Sequence, residues 1–211
     1  MTPLGPVGAF VALLVVGFVG APWLVAALRS TTTPGAATWE RIERLRDRAG
    51  LDVRGALVLD TDDEETAAVY VRGPPGYRRL FVTTTFLDRF DDGVVTALLA
   101  AEAGTVRARV DALRVVTVVA TAVPLVAAVS GAERRWLLLG TAFGALLVGF
   151  WHTRRGVRVV DDWAADRVGV DTLADALDRY AEVHALEPAR RRVPTPLSTT
   201  VALGDRIDRL R

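Results

Sequence analysis

The chain has 211 residues, 51% of them hydrophobic and 24% charged, with a mean hydropathy of +0.28. That is too apolar for an ordinary water-soluble domain and too charged for a chain that is apolar throughout, so the hydrophobic residues must be gathered in blocks. Its 26 basic and 25 acidic residues nearly cancel, which excludes a polybasic nucleic-acid surface; the absence of cysteine excludes disulfides, thiolate nucleophiles and Cys-ligated metals together.

Residues 7–28 form an uncharged run long enough to span a bilayer. A signal peptide is the competing reading, but no basic residue precedes the run and it exceeds a typical signal core, so residues 1–29 read as a retained anchor. Residues 30–37 (STTTPGAA) read as a linker, and 38–49 as a short charged helix ended by Gly50. Three strands are expected at 51–60, 66–72 and 79–85, separated by an acidic turn at 61–65 and by Gly73-Pro74-Pro75-Gly76. They are expected to form one small antiparallel sheet.

Asp91-Asp92 then precede a helix over 97–109, rich in alanine and leucine, that is expected to continue into a second apolar run, 115–132. A third run, 136–153, follows after Glu133-Arg134-Arg135, so the pair reads as a membrane hairpin, with Pro124 kinking its first arm. The alternative is a buried hairpin in a soluble core. Residues 158–184 read as one or two helices, with Leu173, Leu177, Tyr180 and Val183 at near-helical spacing; an Arg/Pro-rich loop at 187–196 and a short charged helix close the chain. The reading is thus a mostly helical α+β membrane protein with about three transmembrane helices. Its polar domain spans 30–211 and is interrupted by the hairpin at 113–153. Arginine is absent before the first run, sparse in the hairpin loop and abundant elsewhere. The positive-inside rule then places both polar segments on the cytoplasmic side of a multi-pass cell-membrane protein.

Chemistry-bearing residues are few. Glu102 stands in an otherwise apolar helical stretch, Ala101-Glu102-Ala103-Gly104-Thr105, where a zinc peptidase would carry H-E-x-x-H. That motif works because histidines at i and i+4 share one helical face and the glutamate polarises a metal-bound water. No Ser-His-Asp set, phosphate loop or nucleotide fingerprint occurs. Both histidines, His152 and His184, sit at helix ends, where an interfacial or dipole-satisfying role is usual. Arg158 and Asp162, at i and i+4, suggest an ion pair along one helix.

Taken in order, these parts resemble the membrane zinc metallopeptidases of the HtpX and CAAX prenyl endopeptidase type, which have a gluzincin-like scaffold. Four stretches carry the resemblance. Residues 82–87 (VTTTFL) are similar to the family's V-T-T-G-L-L, and 100–106 (AAEAGTV) to its A-H-E-x-G-H-V. Asp162-Trp163-Ala164-Ala165-Asp166 is similar to its E-x-x-A-D, and 198–207 to its S-T-H-P-P-L-x-x-R-I. The resemblance implies that the zinc-ligand positions fall at Ala101, Thr105 and Asp162, the general base at Glu102, and the late histidine at Thr200. Arg158 and Asp166 would line the same site, and the family's groove-lining asparagine would fall at Ala68.

A methyl group cannot ligate, a neutral hydroxyl is a poor zinc ligand, and Asp162 is one methylene shorter than the family's glutamate. The scaffold is kept while the reactive set is lost, so the resemblance implies a catalytically inactive pseudopeptidase with a binding or regulatory role and no bound cofactor. Its partners would be the lipid bilayer, membrane-protein segments or an active homologous protease. The alternatives are an active zinc metalloendopeptidase with divergent ligands, a hard-cation site made by Glu102, Asp162 and Asp166, and a structural membrane protein. The topology is testable by labelling: single cysteines placed at Ser130 and Thr61 should react from outside and from inside respectively, and labelling of both from one side would overturn the arrangement.

Overall fold

The computed structural model describes residues 31–59, 67–184 and 201–211, together with isolated positions between 8 and 20. Those isolated positions are helical, with Leu13 and Val16 exposed. Most of the expected anchor, the acidic turn at 61–65, the 187–196 loop and Thr200 lie outside the described residues.

The elements run β1 (Thr31–Thr32), α1 (Ala36–Ala49), β2 (Ala56–Leu59), β3 (Val69–Arg72), β4 (Arg79–Thr83), α2 (Thr84–Arg89), α3 (Asp92–Arg107), α4 (Val110–Val129), α5 (Arg135–Val168), α6 (Val170–Val183) and α7 (Leu203–Leu210). The Gly-Pro-Pro-Gly turn makes β3 and β4 an antiparallel hairpin, with Val69 opposite Val82 and Arg72 opposite Arg79. The sheet as a whole is mixed rather than antiparallel, in the order β1-β2-β4-β3. After β2 the chain crosses to the far edge, forms β3 there, and returns as β4 between them, so β4 runs parallel to β2 with Ala56 opposite Leu80. The Ser/Thr-rich stretch expected to be a linker supplies the opposite edge, where Thr31 and Thr32 pair antiparallel with Leu59 and Val58.

Helices α1, α3, α6 and α7 enclose the core with one face of this sheet. Ile42 and Leu45 of α1 meet Val82, Phe86, Leu98, Leu99, Leu173, Leu177 and Ile207 in one buried cluster. Each such side chain contributes on the order of 1.5–3 kcal/mol by leaving water. The start of α3 is fixed by polar contacts. Asp91 caps it by accepting from the N–H groups of Gly93 at 2.8 Å and Val94 at 3.0 Å. Arg41 of α1 donates to Asp92 at 2.8 Å and to the Leu87 carbonyl at 2.9 Å.

Helix α3 does not continue into the apolar run. It ends at Arg107, and Arg109 takes a left-handed conformation, φ 53° and ψ 34°, before α4 begins at Val110. No glycine or proline marks this break. Helix α4 has 20 residues and α5 has 34, and both are long and apolar enough to cross a membrane. Only 11% and 17% of their most apolar stretches are buried within the protein, so the hairpin is not the interior of a soluble core. The two arms pack closely at Gly149, where a Cβ would run into the Thr117 side chain. The third apolar run and the expected polar helix after it are one helix, α5, which stops only at Gly169 (φ 93°), where α6 starts.

The contact that sets α3 against α5 lies at Gly104. A Cβ there would stand 3.0 Å from the Val160 carbonyl oxygen and 3.1 Å from its Cγ1. Nothing lies within 4 Å of a Cβ at Gly140, farther along α5. Gly104→Leu should therefore lose about 1–3 kcal/mol through overpacking, and Gly140→Leu should be near neutral, measured as thermal unfolding in detergent. Equal effects of the two substitutions would overturn the close approach.

Candidate functional site

The residues flanking Glu102 come together at a cleft of about 240 Å³, walled by five elements. Tyr70 and Arg72 enter from β3, Glu102 and Thr105 from α3, Asp111 and Arg114 from α4, Val157 and Val160 from α5, and Arg206 from α7. β3 is the outer strand of the sheet, so one edge of its backbone remains unpaired by any strand among the described residues.

Glu102 is partly buried at the base of this cleft. Burial, reinforced by the negative charge of Asp111, pushes its pKa from 4.5 up to about 7 against the opposing effects of Arg72, the Val71 backbone N–H and Arg206. Its charge also reaches Tyr180: burial first, and then Glu102, raises the pKa of the Tyr180 hydroxyl. Tyr180 itself is held by stacking on Phe90, with ring centroids 6.2 Å apart.

The two positions beside Glu102 offer no metal ligand. The Ala101 methyl packs against the core. Thr105 donates its hydroxyl to the Ala101 carbonyl one turn back, at 3.1 Å, which leaves only a neutral oxygen facing the cleft. On α5 the inward carboxylate is Asp161, not Asp162. Asp161 is 1% exposed and is gripped by Arg206, whose Nε lies 3.1 and 3.2 Å from its two oxygens. Asp162, one residue and about 100° further round the helix, is exposed and pairs with Arg209 at 3.0 Å. The expected Arg158–Asp162 pair is therefore replaced: Arg158 is exposed, and it is its carbonyl that accepts from Arg209, at 3.2 Å.

Asp166 is exposed and does not line the cleft. Thr200 lies outside the described residues. Ala68, just ahead of β3, donates its N–H to the Thr83 hydroxyl at 2.9 Å and accepts from the Thr83 backbone N–H at 3.0 Å. His152 is exposed and packs edge-on to Trp151, while a His184 ring nitrogen lies 2.9 Å from the Tyr180 carbonyl oxygen; neither lines the cleft. Glu102, Asp162 and Asp166 do not converge on a hard-cation site, and among the described residues no three His, Asp or Glu side chains are grouped to hold a metal. The donor set among the described residues therefore does not fit zinc.

Sequence reasoning missed Asp161 and the roles of Arg206 and Asp111. A signal for Asp161 was present, because Val157, Val160, Asp161 and Ala164 follow the i, i+3, i+4, i+7 spacing of one buried helical face. None marked Asp111, which reaches the cleft only because of the unforeseen break at Arg109.

No protein-family model and no curated protein matches the chain. Solved structures do match, among them the crystal structure of S. mikatae Ste24p, with a TM-score of 0.66 at 16% sequence identity. The match covers 96% of this chain and 56% of that one, so the chain spans little more than half the length of the protein whose fold it shares. This likeness in fold is compatible with the membrane metallopeptidase scaffold that the sequence resembles.

The raised pKa of Glu102 has a direct consequence for stability. Below pH 4.5 the carboxyl is protonated in both the folded and the unfolded chain and costs nothing. Between pH 4.5 and about 7 the unfolded chain ionises first, so stability falls through this window and levels off above it. Glu102→Gln should match the wild type near pH 4.5 and exceed it by up to about 3 kcal/mol at pH 8. A stability difference that does not change between these pH values would show that the carboxyl is not held in this environment.

Proposed function

We propose that the chain is a multi-pass membrane protein that uses a metallopeptidase-like fold to bind rather than to hydrolyse. One observation carries this reading. At the positions where the resembling enzymes would hold zinc, this chain has a methyl packed on the core (Ala101), a hydroxyl hydrogen-bonded within its own helix (Thr105) and an exposed carboxylate paired with Arg209 (Asp162). The features that would hold a chain segment are present: a β3 edge that no strand pairs among the described residues, and a cleft beside it.

An extended segment of a membrane protein is the occupant best suited to that edge, because backbone hydrogen bonds to an unpaired strand bind chain regardless of sequence. Glu102, protonated over part of the neutral range, would donate a hydrogen bond to a carbonyl of such a segment, and Arg72 and Arg206 would favour acidic neighbours. The two polar segments are proposed to lie on the cytoplasmic side, as the arginine distribution argues. An active homologous protease is a further partner consistent with a regulatory role.

A second reading, a metalloendopeptidase with divergent ligands, is favoured by Glu102 alone, since a carboxyl titrating near neutrality suits a general acid or base. Metal content separates the two. Protein purified without chelator should hold well below one zinc per chain, and should leave an unfolded membrane-protein substrate intact over hours. Stoichiometric zinc, or cleavage abolished both by chelator and by Glu102→Gln, would overturn the binding reading and establish the enzyme.

A further inference from the structure

Beside the Glu102 cleft lies a second and larger groove of about 550 Å³, between the β3–β4 turn and the α3–α4 break. Four arginines line it, Arg72, Arg78, Arg109 and Arg114, against a single carboxylate, Asp111. Asp111 is taken by Arg114 at 3.2 Å. Among the described residues neither Arg78 nor Arg109 has a side-chain hydrogen bond or an ion pair. The Nε of Arg114 is buried without a hydrogen-bond partner.

Two features separate this cluster from the arginines that ordinarily flank an apolar helix. Arg72 comes from β3 and Arg78 from the turn before β4, more than thirty positions before α4, and they converge with Arg109 and Arg114 only through the fold. Arg109 is the one non-glycine residue among the described residues with positive φ, at 53°. A side chain there costs roughly 1–2 kcal/mol that glycine would avoid. The helix break is thus made with a strained arginine, which brings a cation to the groove.

The rest of the wall is apolar, with Val71, Val106 and Val115 among its residues. Beyond Val115 the groove gives onto α4, whose Val116 and Val118 are exposed. Cations at one end and an apolar surface at the other match a molecule with a phosphate at one end and a hydrocarbon chain at the other.

We propose that this groove binds an anionic phospholipid, its phosphate met by Arg78 and Arg109, and its acyl chain laid along α4 from Val115 onward. The proposal rests on the membrane reading of α4 but not on the pseudopeptidase reading of the cleft. The test uses the full chain in nonionic detergent, with dioleoylphosphatidylglycerol and dioleoylphosphatidylcholine added in parallel and bound lipid read by native mass spectrometry.

One phosphatidylglycerol should be retained in preference to phosphatidylcholine. Arg78→Gln and Arg109→Gly should each weaken that preference about fivefold, the usual worth of one arginine at an anionic surface. Arg109→Gly relieves the positive φ, so its effect cannot come from misfolding. Arg134→Gln with Arg135→Gln, at the far end of the hairpin, should leave the preference intact. Equal retention of the two lipids, an equal loss in the Arg134/Arg135 variant, or displacement of the lipid by millimolar inorganic phosphate would overturn the proposal. If α4 fails to label as a membrane span while the preference persists, it is the membrane reading that has failed, not the groove.

Discussion

The structure depends first on how closely α3 can approach α5. That approach is made at Gly104, where the absence of a side chain lets the Val160 carbonyl and Trp163 ring sit against the backbone of α3. With any larger residue the helices would separate, and the wall of the cleft formed by Val157 and Val160 would withdraw from Glu102. The same contact orders the hydrophobic cluster, because Ala100 and Ala103 on one helix and Ala164 on the other are also small and buried. Small residues on both helices give a short interaxial distance, and a short distance gives a narrow cleft.

Around that narrow space the described residues balance buried negative charge with arginine. The buried carboxylate of Asp161 on α5 and that of Glu102 on α3 both call for positive charge. A metal would supply it through directed bonds. Here it comes from guanidinium groups on two elements: Arg206 of α7, which grips Asp161, and Arg72 of β3, both of which favour the ionised form of Glu102. Arginine cannot lose its proton and its charge is spread over a planar fork. It neutralises without offering an open coordination position or lowering the pKa of a bound water. Glu102, with no cation in direct contact, is left to respond to burial by holding its proton.

The sequence made local structure legible where one residue type dominates the energetics. The Gly-Pro-Pro-Gly turn, the end of α1 at Gly50 and the apolar runs of α4 and α5 all lie where expected, while α3 begins at Asp92, five residues before the expected start. What it did not reveal was decided by partners distant in the chain. β4 could not be known to slip between β2 and β3, because strand order depends on which edges find each other and not on the strands themselves. The break at Arg109 carries no glycine or proline, and its strain is balanced by packing that only the fold supplies. Asp161 and Asp162 are chemically identical neighbours, and a one-residue difference on a helix separates the buried one from the exposed one. The matched motif favoured the second, while the spacing of the apolar residues favoured the first.

Helix α5 has a mechanical consequence. It runs without interruption from Arg135 to Val168, from the tip of the apolar hairpin to the carboxylate beside the cleft. At 1.5 Å per residue it is a rod about 51 Å long, gripped against α3 near Val160, with arms of about 37 Å and 12 Å on either side. Such a rod is a lever with a ratio of roughly three to one. Tilting its long arm by a given distance moves the Gly169 end by about a third as much in the opposite sense. Asp161 and Val160 sit at the fulcrum itself, so the cleft wall turns with the rod but hardly translates. Arg167, which donates to the carbonyls of Asp47 and Arg48 at the end of α1, rides on the short arm. Displacement of the hairpin is therefore delivered to the junction with α1, on the far side of the fulcrum, while the spacing between Glu102 and its wall is held.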